Sequence, residues 1–149
     1  MDGLVLDTSV LIDYIVLRSP YREAVAGLLE RARRGELRLY VSAVTLSELL
    51  YVSSRVYEAA GSGDPNREAL DFVRWVRSRV QVVDVNEAIA LRAGELRKRL
   101  RIALPDCYVI ASAEAVRAVP LFRGLEDEMR PVESELRALG VRFLDGIRP

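Results

Sequence analysis

Residues 3–15, GLVLDTSVLIDYI, decide the fold. The apolar run Leu4-Val5-Leu6 suits a strand covered on both faces, since strands buried in parallel sheets read as continuous rather than alternating apolar stretches. It meets an acid, Asp7, followed by two hydroxyls, Thr8 and Ser9, and then apolar residues at helical spacing to about Leu17. A carboxylate at the end of a buried strand is costly unless something compensates its charge. Asp7 also suits the helix N-cap, where aspartate satisfies free backbone N–H groups, and Thr8 and Ser9 suit caps as well.

Outward from this stretch, strand and helix patterns alternate. YREAVAGLLERARRG (21–35) is an amphipathic helix closed by Gly35, and LRLYVS (37–42) is a second strand. The spacing predicts helices over 45–60 and 67–78, separated by the loop GSGDPN (61–66). VQVVDV (80–85) is strand-like, Asn86 caps a helix running to about Arg101, and Pro105 and Asp106 open the apolar helix DCYVIASAEAV. AVPLF (118–122) is a strand, LEDEMRPVESELRALG (125–140) a helical segment interrupted by Pro131, and VRFL (141–144) the last strand. This alternation implies an α/β fold, a parallel sheet between helix layers. The 149 residues, half of them hydrophobic and 30% charged, suit one globular domain over 1–149. With no segment of about 20 uncharged apolar residues and no leader-like N-terminus, the expected location is cytoplasmic.

Two absences narrow the chemistry. There is no histidine, which removes Ser-His-Asp and Cys-His catalysis and His-ligated zinc. The single cysteine, Cys107, excludes an intrachain disulfide or a multi-cysteine metal site and reads as a small buried hydrophobe. The net charge is zero, so any attraction for nucleic acid must be local. The basic run RARR (31–34) reads chiefly as a helix C-terminus complementing its dipole.

Any hydrolytic chemistry therefore rests on carboxylates, hydroxyls, arginine or the lone Lys98. In parallel α/β sheets, ligands collect beyond the carboxyl ends of the strands. Asp7 ends the first strand, Glu48 lies early in the helix after the second, and Asp106 opens its own helix. Glu126, Asp127 and Glu128 follow the VPLF strand. Singly, Glu48 reads equally as an exposed helical glutamate, Asp106 as helix-start chemistry and the 126–128 trio as a solvated face. Drawn together, such acids repel unless cations or protons compensate, and an all-oxygen set without His or Cys suits Mg²⁺ (or Mn²⁺) rather than zinc. Asp13, on the first helix, is an outside candidate.

Taken together, VLDTSVLIDYI, VSAVTLSELLYV (41–52) and LPDCYVIASAEA (104–115) resemble the PIN-domain (PilT N-terminus) family, and within it the VapC-type toxin ribonucleases. The resemblance spans essentially the whole chain. It implies an α/β/α sandwich with a central parallel sheet of four to five strands, and Mg²⁺- or Mn²⁺-dependent endoribonuclease activity. Asp7, Glu48, Asp106 and Glu126 would be the catalytic, metal-binding acids, supported by Ser9, Thr8 and Glu128. The family's Thr-x-Asp-x-Asp-Phe segment is here GLEDEM (124–129), with Gly124 for Thr and Met129 for Phe. The resemblance also implies a homodimer and a small antitoxin whose tail packs on an apolar groove, for which the VLIDYIVL and LSELLYVSSRVY stretches are candidates. Readings of other kinds are an inactive PIN-like module binding RNA or protein, a stand-alone RNA-processing nuclease, and a carboxylate phosphatase. The last lacks its usual Asp-x-Asp pair, because position 9 is Ser. No arginine stands out as the phosphate ligand.

Overall fold

A computed structural model describes residues 3–146. Five strands, β1 (Gly3–Leu6), β2 (Arg38–Ser42), β3 (Gln81–Val83), β4 (Val119–Phe122) and β5 (Arg142–Phe143), form one sheet in the order β3-β2-β1-β4-β5. Every pairing is parallel. The α/β sandwich expected from the sequence is the observed fold, with the upper figure of five strands.

Both faces of the sheet are covered, and the period-two alternation of a strand shows how. Val5 and Phe122 face a core built with Ile89, Leu96 and Ile110 of α5 (Glu87–Leu100) and α6 (Leu104–Val116). Their neighbours Leu6 and Leu121 face the opposite core. There they pack with Val25 and Leu29 of α2 (Arg22–Arg33), Leu49 of α3 (Ala43–Ala59), and Phe72 and Val76 of α4 (Pro65–Arg77). Cys107 is fully buried in the first of these cores, and its thiol is pushed up to about 11, chiefly by burial.

Local chemistry sets the helix ends. Ser42, Asp64 and Asn86 accept backbone N–H bonds as N-caps of α3, α4 and α5. Gly35, past the end of α2, takes a φ of +76°, the left-handed conformation that glycine adopts at little cost. Pro131 falls in a 3₁₀ turn (Asp127–Val132) that leads into the short α7 (Glu133–Ala138).

Several boundaries differ from the sequence reading: α4 starts at Pro65, inside the expected 61–66 loop, and β3 keeps three of its six expected residues. The capping serine starts α3 two residues earlier than expected. The last strand is only two residues long. The first helix, α1, covers only Thr8–Ile12, and the chain then continues in turns through Val16. Side-chain bonds explain this end: Ser19 Oγ donates to Asp13 Oδ1 at 2.7 Å and Arg123 Nε donates to both Asp13 oxygens at 2.9 and 3.1 Å. These bonds fold residues 13–19 back beside the end of β4 instead of extending the helix.

The topology fixes where a ligand can sit. From β1 the chain moves to β2 and β3 on one side, then crosses back to β4 and β5 on the other. The crevice beyond β1 and β4 is the switch point of the sheet, where open α/β folds bind ligands.

Candidate active site

Asp7 continues directly from β1, and its backbone N–H donates to the Leu121 carbonyl at 2.9 Å. Its side chain caps α1. Oδ2 accepts from the Ser9 N–H at 3.1 Å and from Ser9 Oγ at 2.6 Å. Ser9 Oγ in turn accepts the Arg123 N–H at 3.2 Å, so one hydroxyl ties the end of β1 to the residue after β4. Capping and site geometry are thus the same arrangement. Asp7 is only 6% exposed, and burial raises its pKa in spite of the bonds from Ser9.

Glu48 reaches the same place from the second turn of α3. Thr8 Oγ1 donates to Glu48 Oε1 at 3.1 Å. Burial, then the charge of Asp7, raises the Glu48 pKa. Asp106, in the first turn of α6, is pushed up to about 8, first by burial and then by the charges of Asp7, Glu126, Glu128 and Glu48. Glu126 precedes the 3₁₀ turn after β4, and burial together with Asp7 and Glu128 raises its pKa too.

These acids line one cleft of about 540 Å³, which contains Asp7, Thr8, Ser9, Glu48, Asp106 and Glu126. The structure therefore brings together the four acids singled out as catalytic and both hydroxyls. One carboxylate oxygen each from Asp106, Glu126 and Glu128 lie within 4.8 Å of one another. Glu128 also accepts the Ala103 N–H at 3.2 Å, which holds it beside the start of α6. Asp127 points away, with a fully exposed side chain paired to Arg130. Of the three consecutive acids after β4, Glu126 and Glu128 lie beside Asp106 and Asp127 does not.

The donor set fits a hard divalent cation. All the converging groups are carboxylates, with no nitrogen or sulfur ligand among them. Opposite oxygens of an octahedral Mg²⁺ lie about 4.2 Å apart, which is compatible with this spread after small side-chain movements. Burial first, and for Glu48, Asp106 and Glu126 the neighbouring carboxylates second, raise the pKa values of these acids.

Asp13 and Arg123 also line this cleft. Asp13 is 4% exposed, and its carboxylate is held by Ser19 and Arg123. The Arg123 guanidinium also lies 5.0 Å over the Tyr21 ring. Sequence reading missed Arg123; the available signal was its position immediately after VPLF, at a strand carboxyl end. The Arg31–Arg34 run lies elsewhere in exposed pairs with Glu30 and Glu36.

The substitution of Gly124 within GLEDEM has a steric setting. A Cβ at position 124 would come within 3.0 Å of Asp145 Oδ2. Met129, where the family pattern has Phe, is buried in the core against α6.

Beside the acidic cleft runs a larger apolar one of about 820 Å³, lined by Tyr14, Ile15, Val16, Leu17, Val56 and Tyr57 among others. Val16 lines both clefts, which are therefore neighbours. Leu17 is 79% exposed at its edge.

The fold is shared with several solved structures. VapBC2 from Rickettsia felis, solved bound to a promoter DNA fragment, superposes with a TM-score of 0.64 at 21% identity, covering 86% of this chain and 92% of that one. DNA-bound VapBC from Salmonella typhimurium gives 0.65 at 23% identity, covering 96% and 97%. FitAcB from Neisseria gonorrhoeae gives 0.65 at 17% identity, covering 87% and 93%. No curated protein matches the chain in sequence. The PIN-domain family model matches residues 4–129, which include every acid of the cleft, and the chain belongs to the PIN-domain family.

Proposed function

We propose that this chain is a Mg²⁺- or Mn²⁺-dependent endoribonuclease, one PIN-like domain over residues 1–149, acting as the toxin of a type II toxin–antitoxin pair. The observation that carries the reading is the convergence of Asp7, Glu48, Asp106 and Glu126 on one cleft at the switch point of the sheet. Family membership supports nuclease chemistry, and a cytoplasmic location goes with an RNA substrate.

Within the cleft Asp7, Asp106, Glu126 and Glu48 would hold the cation, with Glu128 beside them. When bound, such an ion lowers the pKa of water and offsets the charge that develops as a phosphodiester is cleaved. The chain's own groups orient the reactants. Ser9 holds Asp7 Oδ2 through both its N–H and its hydroxyl. Thr8 fixes Glu48 through Oε1 and leaves Oε2 able to accept a proton from the attacking water. The Ala103 N–H restrains Glu128, and the Leu121 carbonyl restrains the backbone of Asp7. Asp7, Glu48 and Glu128 are thus each anchored by a neighbour that does not itself react, the preorganisation that hydrolysis needs.

The apolar cleft supplies the partner reading. A further structure that shares the fold is a toxin–antitoxin complex from Klebsiella pneumoniae, and a small antitoxin bound here would lay an apolar segment along Val16, Val56 and Tyr57. A basic residue at its end would reach the acids past Val16. Homodimerisation belongs to the same proposal and is read by light scattering on the purified chain.

The test is incubation of the protein with RNA in Mn²⁺ or in EDTA. Cleavage that requires the metal and is abolished by Asp106→Asn is the expected result. RNA left intact but bound would instead favour the inactive binding module. Cleavage without any small partner gene beside this one would favour a stand-alone nuclease.

A further inference from the structure

The acidic cleft poses an electrostatic problem of its own: an RNA strand must bring a phosphate among at least four carboxylates, on a protein of zero net charge. Of the twelve residues lining the cleft, Arg123 alone is basic. Its Nε is committed to Asp13, at 2.9 and 3.1 Å. Among the described residues neither Nη group has a hydrogen-bond acceptor, and the side chain is 47% exposed. Two contacts hold the guanidinium: Asp13, itself held by Ser19, binds Nε, and the Tyr21 ring lies against it, while the Arg123 backbone N–H is bonded to Ser9 Oγ. A planar fork held this way, with its two outer nitrogens free, matches the non-bridging oxygens of a phosphodiester.

We propose that Arg123 is the phosphate clamp of the cleft, binding a backbone phosphate of single-stranded RNA, and that Asp13 is the positioning residue that aims it. The clamp rests on the reading of the cleft as an RNA site, but it does not require cleavage. Asp13 lowers the cost of holding an arginine rigid, and it withholds only Nε from the ligand. Ser9 Oγ, donating to Asp7 and accepting the Arg123 backbone N–H, ties the main chain that carries the clamp to the first of the acids.

The test is a binding measurement that uses the full chain carrying Asp106→Asn, so that cleavage does not interfere. A fluorescein-labelled RNA decamer is titrated in Mn²⁺ and followed by anisotropy across a series of salt concentrations. Adding Arg123→Gln should weaken binding roughly tenfold or more, and should flatten the slope of log affinity against log salt by about 0.7, the loss of one contact to single-stranded phosphate. Arg123→Lys should recover part of the affinity and the salt slope, because it keeps the charge without the fork. Removing Arg123 also leaves a buried aspartate unpaired, so the same comparison is made with Asp13→Asn added. The clamp predicts that this protein folds and still binds weakly. Equal affinities and salt slopes with and without Arg123, recovery of binding when Asp13 is neutralised, or no RNA binding by the Asp106→Asn protein would each overturn the assignment. Whether the unmutated chain cleaves RNA is read separately, so the nuclease reading can fail while the clamp stands, and the reverse.

Discussion

Replacing Asp106 with asparagine should stabilise the metal-free protein at and above neutral pH. In the folded chain this carboxyl holds its proton to about pH 8 instead of its ordinary 3.8, because it is buried and faces Asp7, Glu126, Glu128 and Glu48. A folded-state pKa above the unfolded one means that the native protein binds the extra proton. The favourable contribution is complete below about pH 4, is lost as pH rises towards 8, and changes little beyond. At about 1.4 kcal/mol per pH unit the ceiling is roughly 6 kcal/mol. Asp106 keeps some solvent contact and shares the repulsion with four neighbours, so the working expectation is about 1–3 kcal/mol. Urea denaturation in EDTA at pH 5 and pH 8.5 measures it. The wild-type midpoint should fall between the two, and that of Asp106→Asn should fall much less. With Mn²⁺ added at pH 8.5 the wild type should recover and the variant should not. Parallel pH dependences for the two proteins would refute the reasoning that these carboxylates share one uncompensated site.

Three further outcomes follow from the same geometry. Mn²⁺ at about a hundredfold excess over its dissociation constant should stabilise the wild type by about 2.7 kcal/mol. That is roughly 5–10 °C in Tm for a chain of this size, and differential scanning fluorimetry should show it absent when Asp7 and Asp106 are both Asn. Thr8→Val removes the bond that fixes Glu48 Oε1 and should lower kcat for RNA cleavage about tenfold with little change in melting temperature. Ser9→Ala leaves the Arg123 N–H without its acceptor and Asp7 Oδ2 with only the backbone N–H of position 9, and should cost about 1–3 kcal/mol in chemical denaturation.

Much of this arrangement was legible in the residues because it is carried by local patterns. Leu4-Val5-Leu6 read as a doubly buried strand, since both faces of β1 are covered. Asp7 and Asp106 stood out because a carboxylate at a strand end or helix start has a definite position in a parallel sheet. Glu48 was placed by its spacing from the second strand. The end of α1 was not legible, because what stops that helix is Arg123, 110 residues away, and no periodicity encodes a bond to Asp13. For the same reason Arg123 was indistinguishable from the other arginines, and Asp13 could be named only as an outside candidate. The choice among Glu126, Asp127 and Glu128 depended on how a 3₁₀ turn directs consecutive side chains. One residue of rotation separates an acid in the cluster from one paired with Arg130 in solvent.

The central claim is that carboxylates from β1, α3, α6 and the turn after β4 share a divalent cation. A crystal grown with Mn²⁺ and measured for its anomalous scattering tests it most directly. The account predicts a difference peak in the cleft within bonding distance of Asp7 and Asp106, with Glu48, Glu126 or Glu128 completing the shell directly or through water. An ordered cleft that contains no peak while Mn²⁺ is in excess, or a peak bound only at the exposed acids of the surface, would contradict it.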